Sequence, residues 1–150
     1  MPGTYTQLLA HIVFSTKNRQ PWISQEIEER LHAYMGGIAR DEKAVIYSIG
    51  GIEDHVHLYL RYRPDTCIST LMQNVKGGSS RWIHKTFPNL ADFEWQEGYW
   101  GFSVDKFAEE GLKKYIANQR EHHRKEDFKS EIRRLLTEAG IEFDERYLFD

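Results

Sequence analysis

The chain has 150 residues, 40% hydrophobic and 29% charged, with a formal net charge of −3 and a single cysteine. That length accommodates one domain with a real core, over residues 1–150, and not two. The lone Cys67 excludes an intramolecular disulfide and a cysteine-built zinc site. No apolar run approaches membrane-spanning length and the N-terminus carries no signal-peptide pattern, so a cytoplasmic protein with no membrane partner is expected. The acidic excess lies at one end: residues 126–150 hold eight acids and four bases, residues 1–125 fifteen acids and sixteen bases. A nearly neutral body does not by itself identify a DNA binder.

In chain order, Thr6 to Ser15 is apolar enough for a central strand, broken by Lys17-Asn18-Arg19-Gln20-Pro21. Ser24 can cap a first helix, with Glu26 and Glu28 in its first turn and Ile27, Leu31, Tyr34, Met35 and Ile38 at helical spacing to about Ala39. Ala44 to Ile49 reads as a strand, Gly50-Gly51 as a turn, and His55 to Tyr62 as the hairpin partner. Pro64 ends that strand. A second helix begins near Ser69, with an apolar stripe of Ile68, Leu71, Met72, Val75, Trp82 and Ile83, and Gly77-Gly78-Ser79-Ser80 is expected to interrupt it. Small residues there point to close approach by another backbone or a phosphate. Phe93 to Phe102 is aromatic and extended. Ser103 or Asp105 can cap a third helix to about Lys125, and Asp127 to Ala139 forms a fourth, stopped by Gly140. The aromatic, acidic end from Phe143 to Phe149 reads as a docked tail. The order β-α-β-β-α-β predicts an α+β, ferredoxin-like fold, an antiparallel sheet backed by two helices, with additional C-terminal helices.

Two constellations carry chemistry. His55-Val56-His57 lies in a run that reads as a strand, where alternate residues share a face, so both imidazoles point one way at a spacing of about 6–7 Å. Two imidazoles so placed can converge on one divalent cation, while Val56, Leu58 and Leu60 anchor the other face; among seven histidines the spacing also arises by chance. Tyr115 and Gln119 stand four apart on a helical stretch and so project side by side. Gln119 offers an amide oxygen as a third ligand and Tyr115 an oxygen nucleophile; the alternative is a core tyrosine beside an exposed glutamine. Bases cluster at Lys17/Arg19, at Lys76/Arg81/Lys85 and from Lys113 to Lys125. Each cluster reads by itself as a solvated face, with a phosphate track as the alternative; on that alternative Lys17, Arg19, Lys76 and Arg81 are the candidate DNA-phosphate contacts, Arg81 foremost.

Together these residues resemble the single-tyrosine HUH transposases of small insertion sequences, the IS200-like family, with their REP-associated tyrosine transposase relatives. His55, His57, Tyr115 and Gln119 match the motif residue by residue. The runs from His11 to Arg19, Lys76 to Arg81, Trp95 to Tyr99 and Phe102 to Val104 are similar to the family's flanking segments. The resemblance covers a core of about residues 5–125, leaving a C-terminal helix and tail over 126–150. Asp105 stands where the family usually has a small residue.

The resemblance implies cleavage and rejoining of single-stranded DNA, with a hairpin at the element ends, through a 5′-phosphotyrosine. It also implies a divalent metal, Mg or Mn, and a homodimer in which each subunit's tyrosine helix can serve the partner's histidines. Catalysis across the dimer is the more specific expectation, with cis and trans left open by the sequence. A metal beside Tyr115, with Lys113 or Lys114 near, would lower the phenol from its ordinary pKa of ~10. His122 and His123, after Gln119, are read as helix-end histidines or an additional ligand, and Glu53 and Asp54 as turn residues that can orient the site. Two rival readings stand beside the transposase. A non-catalytic ferredoxin-like nucleic-acid-binding module should carry the aromatic RNP pattern, which is not seen. A metal-dependent phosphodiesterase using water would leave Tyr115 structural.

Overall fold

A computed structural model describes residues 3–149. Four strands form one antiparallel sheet: β1 (Leu8–Ser15), β2 (Val45–Ile52), β3 (His55–Tyr62) and β4 (Trp100–Ser103), in the order β2-β3-β1-β4. Among the described residues six α-helices accompany them: α1 (Gln25–Asp41), α2 (Ile68–Thr86), α3 (Glu109–Ala117), α4 (Gln119–His122), α5 (Phe128–Glu138) and α6 (Glu145–Leu148). This is the expected α+β arrangement. β1 and β3 are the central pair, in a register that sets Val13 opposite His57 and Ser15 opposite His55.

Strand alternation sorts the side chains onto two faces. From β1, Ala10, Ile12 and Phe14 point to one side, and from β3 Val56, Leu58 and Leu60 join them. There they meet Ile27, Leu31, Met35 and Ala39 of α1 and Leu71, Met72, Val75 and Ile83 of α2, forming the main core. The other face is covered in two patches. Leu9 and Tyr59 pack on Ile116 of α3, and Val13 and Trp100 pack on Phe128, Ile132 and Leu136 of α5. Between those patches lie the histidines.

Several local expectations are corrected. Gly50 and Gly51 do not turn the chain: β2 continues to Ile52, and the hairpin turns at Glu53-Asp54. Gly50 is needed because a Cβ there would stand 2.2 Å from the carbonyl oxygen of Ile116, so only glycine lets α3 lie this close to the sheet. The glycines of α2 do not interrupt it. The helix runs unbroken from Ile68 to Thr86, and Gly78 makes room for Ile38 of α1, whose Cδ1 would be 2.8 Å from an added Cβ. The third helix does not reach Lys125; it breaks at Asn118, whose backbone leaves helical geometry. Only Trp100–Ser103 of the aromatic stretch is a strand, though Trp95 bridges to Thr16. The tail does dock, with the Phe149 ring 5.9 Å from that of Trp100 and beneath the charged groups of Arg19, Lys129 and Arg133.

Candidate active site

His55 and His57 are wholly buried on the sheet face that α3 and α5 cover. Each spends its Nδ1 on a fixed partner. His55 Nδ1 is 2.8 Å from Asp54 Oδ1, and His57 Nδ1 is 2.8 Å from Nε2 of His11 on the neighbouring strand. Such partners fix ring orientation and leave the other nitrogen for a ligand. Both Nε2 atoms therefore aim at the same interior point. Burial, then the nearby charge of His57, lowers the His11 pKa to about 3; burial above all lowers that of His57 to about 4. Both stay neutral, the form in which an imidazole binds a metal.

The helices complete the cluster. Gln119 opens α4 just past the break at Asn118, and its side-chain amide donates to the Tyr115 carbonyl at 3.2 Å, keeping the four-residue relation. That contact turns Gln119 Oε1 toward the histidines, 3.0 Å from His55 Nε2 and 2.9 Å from His123 Nε2. The Tyr115 ring stands edge-on to that of His57, centroids 5.5 Å apart. All four residues expected from the sequence converge, and within a single chain.

Two more enter from outside the sequence expectation. Glu131 of α5 is fully buried, its Oε1 3.1 Å from His123 Nε2, 3.3 Å from His57 Nε2 and 3.6 Å from His55 Nε2. Its Oε2 accepts a short hydrogen bond from the Tyr115 hydroxyl. Burial pushes its carboxyl up, but hydrogen bonds from His123 and His57 outweigh this and hold it far below the carboxylate range. The sequence carried a signal for it: an acid between Phe128 and Ile132 on the apolar stripe of an amphipathic helix. Arg134, one turn on, reaches the Tyr115 oxygen at 3.1 Å. It takes the place expected of Lys113 and Lys114: Lys113 pairs with Glu109 at 3.9 Å and Lys114 is exposed. Burial and the Glu131 carboxylate hold the Tyr115 phenol well above its ordinary pKa, so it stays protonated even beside the Arg134 guanidinium.

The donor set fits a divalent ion. Ligand atoms of His55, His57, His123 and Glu131 all lie within 4.8 Å of one another. Imidazole nitrogens with carboxylate and amide oxygens suit Mn²⁺ and later metals, and Mg²⁺ when phosphate adds oxygens.

The basic candidates are dispersed. Lys17 and Lys76 line one cavity of about 590 Å³ with Gln73, Gly77 and Trp95, away from the histidines. Lys76 donates to the carbonyls of Gln96, Glu97 and Gly98. Arg81 is exposed on α2, and Arg19 lies over Phe149.

Comparisons with known proteins place the chain in a family. The sequence model of the family described as "Transposase IS200 like" matches residues 4–119. The chain belongs to that family. A curated relative, the ISDra2 transposase TnpA of Deinococcus radiodurans, is 25% identical over 122 residues, spanning 78% of this chain and 87% of that protein. A crystal structure of a candidate transposase from Deinococcus radiodurans superposes with a TM-score of 0.66 at 25% identity, covering 79% of this chain and 95% of that one. The REP-associated tyrosine transposase bound to a REP hairpin shares the fold, with a TM-score of 0.54 at 17% identity over 77% of this chain and 68% of its own. This IS200-like transposase therefore has the ferredoxin-like frame of its relatives, and no helix among its described residues is long and apolar enough to cross a membrane.

Proposed function

We propose that this transposase cleaves and rejoins single-stranded DNA, with Tyr115 as nucleophile and His55, His57 and Gln119 holding a divalent metal, Mg or Mn. The observation that carries the reading is the convergence of the Tyr115 phenol, two strand imidazoles and the Gln119 amide oxygen on one buried point. A bound cation supplies charge to polarise a scissile phosphate and to favour the phenolate. Tyr115 attacks phosphorus as its phenolate, its proton released to solvent: the Tyr115 oxygen–phosphorus bond forms, the bond from phosphorus to the 3′ oxygen breaks, and that oxygen leaves with the electron pair and takes a proton from solvent to become a 3′-hydroxyl. The protein keeps the 5′-phosphate as a phosphotyrosine, whose energy lets another 3′-hydroxyl reverse the step and join new ends. Arg134, at the phenol oxygen, offsets negative charge there. Lys17, Arg19, Lys76 and Arg81 are proposed to lie along the DNA, with a hairpin as the recognised feature. The whole chain is taken to act as one domain in the cytoplasm.

The test is covalent capture of a labelled single-stranded oligonucleotide on a denaturing gel. The unmodified protein should give a shifted band that chelator abolishes, and Tyr115→Phe should give none. A shifted band from Tyr115→Phe would assign another nucleophile; cleavage without any adduct would favour the water-using phosphodiesterase.

The protein is further proposed to be a homodimer. Because one chain brings its own Tyr115 to its own His57, catalysis is proposed to run within each subunit. Mixing Tyr115→Phe with His57→Ala protein should then leave cleavage absent after subunit exchange. Recovered cleavage would mean that Tyr115 serves the partner.

A further inference from the structure

The family match ends at residue 119, yet His123 and Glu131, which follow it, reach the same interior point as His55 and His57. Glu131 is the anomaly. Its neighbours on the buried side of α5 are Phe128, Ile132 and Leu136, which hold the helix against Val13 and Trp100. A fully buried carboxylate on that stripe weakens docking of the helix unless a cation compensates it. The groups that face it are His55, His57, His122 and His123 and the Tyr115 hydroxyl. None is a permanent cation. Arg134, three residues on along the same helix, is directed to Tyr115 and Glu126 instead.

We infer that His123 and Glu131 are resident ligands of a divalent transition metal, joining His55 and His57, and that the ion is held before DNA binds and ties α5 to the sheet. The inference rests on the metal reading above and goes beyond it. Two imidazoles and an amide form a neutral set that relies on substrate phosphate to retain a cation. A third imidazole and an anionic oxygen give the chain a site of its own, suited to Mn²⁺ over Mg²⁺. Glu131 Oε1 faces the three imidazole Nε2 atoms while its Oε2 holds the Tyr115 hydroxyl, so one carboxylate sets the nucleophile beside the metal site. Because Glu131 lies in the first turn of α5, occupancy of the site and docking of that helix are one event.

The experiment is titration of Mn²⁺ alone into the full chain without DNA, following free Mn²⁺ by electron paramagnetic resonance and α5 by hydrogen–deuterium exchange. The unmodified protein should take up Mn²⁺ and slow exchange across residues 128–138. Glu131→Gln keeps the shape and removes the charge; it should weaken Mn²⁺ binding at least ~10-fold, since even partners behind a ligand cost that much. It should also lose the exchange response, while its circular dichroism in chelator stays unchanged. If that variant fails to fold, His123→Gln should give the same two losses. Equal Mn²⁺ affinity in the unmodified protein and these variants overturns the proposal. So does an unmodified protein that takes up no Mn²⁺ without DNA yet cleaves in a chelator-sensitive way, an outcome that leaves the metal reading standing. Cleavage indifferent to chelator removes both.

Discussion

The two faces of the sheet use the same strands for opposite purposes. On β3, Val56, Leu58 and Leu60 alternate with His55, His57 and Tyr59. The first set is sealed by two long helices into the main core. The second is covered by shorter helices in two small apolar patches, with a polar cluster between them. One face carries stability and the other carries chemistry, and a rigid strand shared by both holds the ligands in place.

The sharpest way to break that comparison is to substitute neighbours on β3. His57→Ala should abolish cleavage even in protein that remains folded; the main core is untouched, and the stability that is lost comes from the partners taken from the buried Glu131 and His11. Leu58→Ala should do the reverse, lowering stability by about 2–5 kcal/mol with cleavage retained where the protein remains folded. Thermal melts and oligonucleotide cleavage on the two proteins separate the roles. Equal effects on both readouts would mean that the faces are not independent.

A smaller effect is expected at Gly50, on the edge of the chemical face. Gly50→Ala forces the Ile116 backbone away, and with it Tyr115 and Gln119. A displacement of about 1 Å at reacting groups can cost on the order of 100-fold in rate. Cleavage should fall by that order while the main core melts normally. A wild-type rate would mean that the position of α3 against β2 is unimportant.

The smallest effect concerns pH, and it reaches both faces. His32 on α1 has its pKa lowered from 6.5 to about 4 by burial, while burial also lowers His57 to about 4 and His11 to about 3. The folded chain therefore binds fewer protons than the unfolded chain between about pH 6.5 and 4, so stability falls as pH drops through that window. In chelator the melting temperature should decline from pH 7 to 5, by roughly 2–4 °C per kcal/mol lost. His32→Gln should flatten part of that slope. A flat profile in the unmodified protein would contradict the buried, neutral histidines.

What the sequence disclosed follows from which forces are local. Strand alternation is local, so His55 and His57 could be placed on one face and Val56, Leu58 and Leu60 on the other. The four-residue spacing of Tyr115 and Gln119 survived even the helix break at Asn118, because the Gln119 amide bonds back to the Tyr115 carbonyl. The glycines misled. Gly50-Gly51 reads as a turn by composition, yet Gly50 answers to the carbonyl of Ile116, 66 residues away in the chain, and Gly51 to that of His55 across the hairpin. Gly78 does mark a close approach, but of a side chain of α1 rather than a backbone or a phosphate, Gly77 meets only Arg81 of its own helix, and the helix is not broken. Glu131 escaped because it lies beyond the motif and reaches the histidines only through the packing of α5. An acid on an apolar stripe was the trace it left.

The most direct test of the account is to identify the residue that carries the DNA. After reaction with a single-stranded oligonucleotide and digestion of protein and DNA, tandem mass spectrometry should find the nucleotide phosphate on the peptide containing Tyr115, and at that residue. A nucleotide phosphate on any other residue, or none while the DNA is cut, would contradict the site assigned to the chemical face of the sheet.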